Sequence, residues 1–189
     1  MEPRISYGLD LGIKSGALVR VHLDEAGTRP TVISEWLKGP KMSDGLSNTL
    51  WFFSQNVIKP FYKDVEGLAV NMTPGNGVLI GIDWDLSEAF WGNRLAAGLK
   101  AFVGGYLYRA FIDSGFRPLV VSPAAVRQVL GLRSNAKKEV VWKAFDLLHP
   151  GALLEGSEHV HDAVILGWAV HQAASNQSQH NTGRVARKR

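Results

Sequence analysis

No cysteine occurs among the 189 residues of this chain, which excludes disulfide frameworks and thiolate zinc sites. No run of eighteen apolar residues is present, and no basic N-terminus leads into an apolar stretch. The sequence therefore offers neither a membrane span nor a secretory signal, and the expectation is a soluble, cytoplasmic protein. Excess charge of one sign is small as well. The formal net charge is +4, and four positive charges (Arg184, Arg187, Lys188 and Arg189) lie in the last six residues, leaving the remainder neutral. Polyanion binding by the body must then come from a local patch. Lys137 and Lys138, with Arg127, Arg133 and Lys143 nearby, are the candidates; the plainer reading of such a cluster is a solvated helix face.

What is present is ordinary globular composition, 46% hydrophobic and 20% charged, without internal repeats or an interior linker. This supports one domain with its own core over residues 1–175. From Gln172 to Gly183 the chain turns to Gln, Ser, Asn and His without periodicity, so residues 176–189 read as a mobile basic tail.

Residues 5–11 alternate, with Ile5, Tyr7, Leu9 and Leu11 on one face and Ser6, Gly8 and Asp10 on the other. Strands over 17–23 and 30–37 follow, giving an antiparallel start to a sheet. Ser43 is placed to cap a helix carrying Leu46, Leu50, Phe53 and Val57, with Pro60 as its stop. Residues 66–71 and 78–83 both read as strands, separated by a run of breakers. The pattern then predicts a long helix over 88–114, a short strand over 117–121, a helical turn from Pro123, and helices over 136–148 and 158–174. The fold class expected is α/β, a mixed sheet flanked by helices.

Three places hold acids whose burial would be costly without a compensating cation. Asp10 interrupts the apolar run of the first strand. Asp83 ends the apolar run from Val78, with Asp85 as a competing neighbour. Glu158, His159 and Asp162 open the last helix on one side, at spacings of three and four. Each has a plainer reading: a turn cap for Asp10, a strand-end acid facing water for Asp83, a surface residue at a helix start for His159. Together they suit a pair of hard divalent cations set for in-line attack of water on a phosphodiester.

The order strand acid, strand acid, helix acid resembles the RuvC-type Holliday junction resolvases of the ribonuclease H-like nuclease superfamily. Gly8-Leu9-Asp10-Leu11-Gly12 looks like their first-strand motif, and Ile82-Asp83 like their second-acid strand, where Glu is more usual. Residues 125–131 and 136–140 resemble the family's basic segment before the last helix. His159 and Asp162 match its third and fourth metal-site positions; some members, including the RuvC domains of CRISPR effector nucleases, carry His at the former. The resemblance spans about residues 5–173 and departs from the family at Asp83. Were 66–71 the central strand, Asn71 would stand at its end.

The resemblance implies a homodimeric endonuclease that resolves four-way junctions with two Mg²⁺ ions per site, Mn²⁺ substituting. Asp10, Asp83, His159 and Asp162 would be the ligands, and Lys137 would hold the scissile phosphate. DNA would be met by Arg127, Arg133, Lys137 and Lys138, and by an aromatic that stacks on bases, Phe90 or Trp91. Those two rings equally suit the buried face of the long helix, whose Gly98, Gly104 and Gly105 would admit a partner subunit. A small diverged resolvase also suggests a phage or other mobile-element origin. Two other readings stay open. One is a ribonuclease H-like nuclease acting on RNA–DNA hybrids or other branched DNA, and the other an ATP-binding protein related to actin and sugar kinases, to which Lys14-Ser15-Gly16 after the first strand points. A catalytically silent DNA-binding module would give no reason to keep Asp10, Asp83 and Asp162.

Overall fold

The computed structural model describes residues 4–24, 27–68, 78–84, 94–153 and 155–186. Strands β1 (Arg4–Asp10), β2 (Gly16–Asp24) and β3 (Gly27–Trp36) form an antiparallel meander. Strands β4 (Leu79–Asp83) and β5 (Arg117–Val120) extend the sheet in parallel beyond β1, giving the order β3-β2-β1-β4-β5. The α/β mixed sheet expected from the sequence is the one observed.

Alternation along β1 divides the interior into two layers. Tyr7, Leu9, Leu18, Ile80 and Ile82 face Phe53, Val57, Phe61, Val103, Leu107 and Phe111. These come from α1 (Gly45–Phe53), the π turn Ser54–Ile58, α2 (Lys59–Leu68) and α3 (Arg94–Asp113). On the opposite face Ala17, Val19 and Val21 meet Val126, Val141, Phe145, Val160, Val164 and Trp168. The helices there are α4 (Pro123–Val129), α5 (Lys138–Leu148) and α6 (Glu158–Ala186).

Two expectations are corrected. Pro60 does not stop its helix but is the second residue of α2, directly after the π turn. A π turn already breaks the regular i to i−4 bonding, so the N–H that proline lacks is not missed there. Residues 66–68 end α2 and are not strand; 69–71, Asn71 included, lie outside the described residues. The helix persists because Phe61 packs edge-on against Tyr7, Phe111 and Phe116 at 4.8, 4.9 and 5.0 Å. The Tyr7 hydroxyl, pushed far up in pKa by burial, donates to Asp64 at 2.7 Å, and Arg20 donates to the other Asp64 oxygen at 2.6 Å. Helix α3 starts at Arg94 among the described residues; Phe90 and Trp91 lie outside them. Gly104 is turned toward its own chain, where an added Cβ would lie 2.6 Å from the Trp84 ring. Helix α6 continues to Ala186, through the segment read as aperiodic.

A pH effect follows from His149 at the end of α5. Its ring packs against Phe145 and Trp168, its Nδ1 lies 3.0 Å from Thr28 Oγ1, and burial pushes its pKa down. The fold therefore holds the neutral form, while the unfolded chain takes up a proton near pH 6.5. This contribution is complete above about pH 6.5 and is lost as the pH falls below it. Urea titrations at pH 7.5 and 5.5 should show wild type losing more stability than His149→Gln. Equal losses would place the effect elsewhere, His22 being lowered in the same direction.

Candidate active site

Asp10 is the last residue of β1 and Asp83 the last of β4, and the parallel register sets them opposite each other. Neighbouring strands lie about 4.8 Å apart, so two carboxylates stand side by side at one end of the sheet. Helix α6 crosses the sheet against the Ser6, Gly8 and Asp10 face of β1. Ser6 Oγ donates to Gly167 O at 2.6 Å, Gly8 lies against the Ala163 carbonyl, and His159 Nδ1 reaches Asp10 Oδ2 at 2.6 Å. Two residues of strand advance about 6.7 Å and four residues of helix 6.0 Å. The contacts therefore stay in step over three repeats, and the small residues let the backbones touch. This close packing delivers His159 to Asp10.

The Asp10 side chain is only 13% exposed and that of His159 21%. The hydrogen bond to Asp10 raises the imidazole pKa above its ordinary value, burial opposes that, and the charges of Asp10 and Glu158 add to it. The ring Nδ1–H donates to the carboxylate, and that bond favours the charged form of the imidazole.

Asp162 faces a different partner. Lys138 Nζ donates to its Oδ2 at 2.7 Å and Trp142 Nε1 to its Oδ1 at 2.9 Å, while Lys138 also lies 3.5 Å from Glu158. Burial pulls the Lys138 pKa down, but the Asp162 hydrogen bond and the surrounding acids leave it raised overall. Lys137 is exposed, as Lys138 is, and its carbonyl accepts the Val140 and Val141 N–H groups at the start of α5. Arg127 Nε donates to the Ala136 carbonyl at 2.8 Å, tying the α4–α5 connection, and Arg133 is exposed. Phe90, Trp91 and Asp85 lie outside the described residues. The structure sets Asp83 opposite Asp10 and His159 against Asp10, with Asp162 three residues further along α6. Among the described residues no three His, Asp or Glu side chains converge on one point. Trp142 went unnoticed in the sequence, although its spacing of four from Lys138 puts both on one side of α5.

The deciding comparison is with solved structures. A Thermus thermophilus RuvC structure superposes with a TM-score of 0.65 over 92% of this chain and 96% of that one, at 15% identity. This chain has the RuvC fold. T. thermophilus RuvC in complex with Holliday junction substrate gives 0.60 over 88% and 92%, also at 15% identity. The yeast mitochondrial Holliday junction resolvase gives 0.54 over 95% and 83%, at 13%. No family model matches the sequence, and no curated protein does. At such identities the likeness is one of fold, and what the RuvC fold contributes here is the sheet end on which Asp10 and Asp83 meet α6. No described helix is long and apolar enough to cross a membrane.

Proposed function

We propose that this protein is a divalent-metal-dependent endonuclease that cuts branched DNA, four-way junctions foremost. The observation that carries the proposal is the pairing of Asp10 with Asp83 at the strand ends, with His159 of α6 bonded to Asp10 and Asp162 three residues further along the same helix. Oxygen donors with one imidazole suit Mg²⁺ or Mn²⁺. As they stand, two side chains of the protein occupy these acceptors: His159 on Asp10 and Lys138 on Asp162. The donor types fit a pair of hard cations once Lys138 leaves Asp162 and a neutral His159 offers a ring nitrogen lone pair, and Asp10, Asp83, His159 and Asp162 would then hold them. Such ions supply an activated water and charge stabilisation on the leaving oxygen.

The chain's own residues supply the rest. Trp142 keeps Asp162 oriented through its second oxygen, and Lys138, released from Asp162, is within reach of a phosphate at the same place. Lys137, Arg133 and Arg127 border the site from the α4–α5 side, and Phe90 or Trp91 is the proposed base-stacking residue. In the cut, water oxygen bonds to phosphorus and the P–O3′ bond breaks, leaving a 5′-phosphate and a 3′-hydroxyl. Resolution of a junction needs paired cuts, hence a homodimer. The face of α3 that bears the 46%-exposed Phe102 and a hollow of about 560 Å³ lined by Tyr106 and Arg109 is the proposed contact.

The test offers a synthetic four-way junction, linear duplex and RNA–DNA hybrid in Mg²⁺ or Mn²⁺. Symmetric nicking of the junction, with the duplex intact, is the expected result. Preferred cutting of the hybrid would move the protein to the other nuclease reading, and no cutting of any substrate would overturn the proposal.

A further inference from the structure

On the β2–β3 side the same end of the sheet is bordered by two loops, residues 11–15 between β1 and β2 and residues 37–41 after β3. The loops are fastened to each other. Gly39 N–H donates to the Lys14 carbonyl at 2.6 Å, and Trp36 Nε1 donates to the Gly12 carbonyl at 3.1 Å. The approach is too close for side chains: a Cβ on Gly39 would lie 1.8 Å from the Ile13 carbonyl oxygen. The pair therefore forms a braced rim and not two independent loops.

That rim carries Lys14, Lys38 and Lys41, all exposed. Residues 11–16 and 37–43 contain no acid. The nearest acids in sequence are Asp10, at the end of β1 and bonded to His159, Glu35 on β3, and Asp44, whose carboxylate accepts the Lys41 backbone N–H at 2.8 Å. Among the described residues, none of the three lysines enters an ion pair, whereas Arg20, Arg29, Arg109 and Lys138 all do. Three lysines outside any ion pair on a braced element attract a polyanion. Lys14 follows Asp10 by four residues, so their Cα atoms are at most about 14 Å apart. A DNA strand carries one charge per roughly 3.4 Å of helix axis, which puts the rim within about four nucleotides of a phosphate held at Asp10.

We propose that Lys14, Lys38 and Lys41 form a second phosphodiester-binding surface, gripping the strand beside the cut. The inference rests on the branched-DNA reading above and adds a location to it. Its test needs neither metal nor cleavage. Affinity for a fluorescently labelled four-way junction in EDTA is measured over a salt series for wild type, the Lys14→Ala/Lys38→Ala/Lys41→Ala triple variant, and a Lys59→Ala/Lys63→Ala control on α2. Each lost phosphate contact lowers the slope of log affinity against log salt by about 0.9. The triple variant should therefore lose between two and three units of slope and bind roughly tenfold or more weakly at moderate salt, with the control unchanged. The single variants should each lose about one unit. Thermal melts check that all remain folded, as expected when the loops are joined through backbone groups. A triple variant that matches the control in slope overturns the rim while leaving the branched-DNA reading in place. A wild type without salt-dependent junction binding overturns both.

Discussion

Asp10→Asn should leave a folded protein that binds a four-way junction at least as well as wild type and cuts it roughly a thousandfold more slowly or not at all. The substitution keeps the size of the side chain and removes only its charge. Asp10 lies at the centre of the site: it is opposite Asp83 in the sheet and 2.6 Å from His159. Charge stabilisation by bound metal is worth several kcal/mol, and each ~1.4 kcal/mol is a factor of ten in rate. Binding should hold or improve, because one negative charge facing DNA phosphates is gone. A second readout separates local from global damage. The His159 pKa, raised first by its bond to Asp10, should fall toward the ordinary imidazole value when followed by NMR in metal-free protein. Cutting near the wild-type rate would remove Asp10 from the chemistry.

Gly8→Ala should be the most damaging single methyl that β1 can receive. Its Cβ would lie 1.8 Å from the Ala163 carbonyl oxygen and 2.6 Å from the Gly167 nitrogen, both backbone atoms of α6 with no rotamer to change. Overpacking against side chains costs about 1–3 kcal/mol; here a helix must lift off a sheet, and about 3 kcal/mol or more is expected. For a domain of this size that lowers the melting temperature by roughly 6–12 °C. Gly98→Ala is the contrasting case. It lies in α3 with nothing within 4 Å of the added carbon, so it should gain about 0.5–1 kcal/mol of stability. Equal melting temperatures for Gly8→Ala and wild type would mean that α6 sits less tightly on β1 than described.

How far the sequence carried depended on the range of the interactions concerned. The alternation of β1 and the acid ending β4 were legible because strand periodicity is a property of neighbouring residues. The pairing of Asp10 with Asp83 followed once both were strand ends of a mixed sheet. Residues 66–68 were misjudged because their helical state is enforced by Phe61 against Tyr7, Phe111 and Phe116, contacts across 54, 50 and 55 residues of sequence. Pro60 was misjudged because a π turn has no local signature. Between Lys137 and Lys138, adjacent residues on a helix differ by 100° in direction. Which one meets Asp162 therefore depends on how α5 is rotated against α6, and no local pattern encodes that.

The contacts Ser6–Gly167, Gly8–Ala163 and Asp10–His159 also constrain how such a chain can change length over time. One residue inserted between His159 and Gly167 would swing the imidazole about 100° around the helix. One inserted between Ser6 and Asp10 would send the carboxylate to the opposite face of the sheet. Insertions and deletions are thus excluded from these two short stretches and channelled into the connections, such as residues 149–157 between α5 and α6. A chain under that regime keeps one strand end and one helix end in mutual phase while its connections change length.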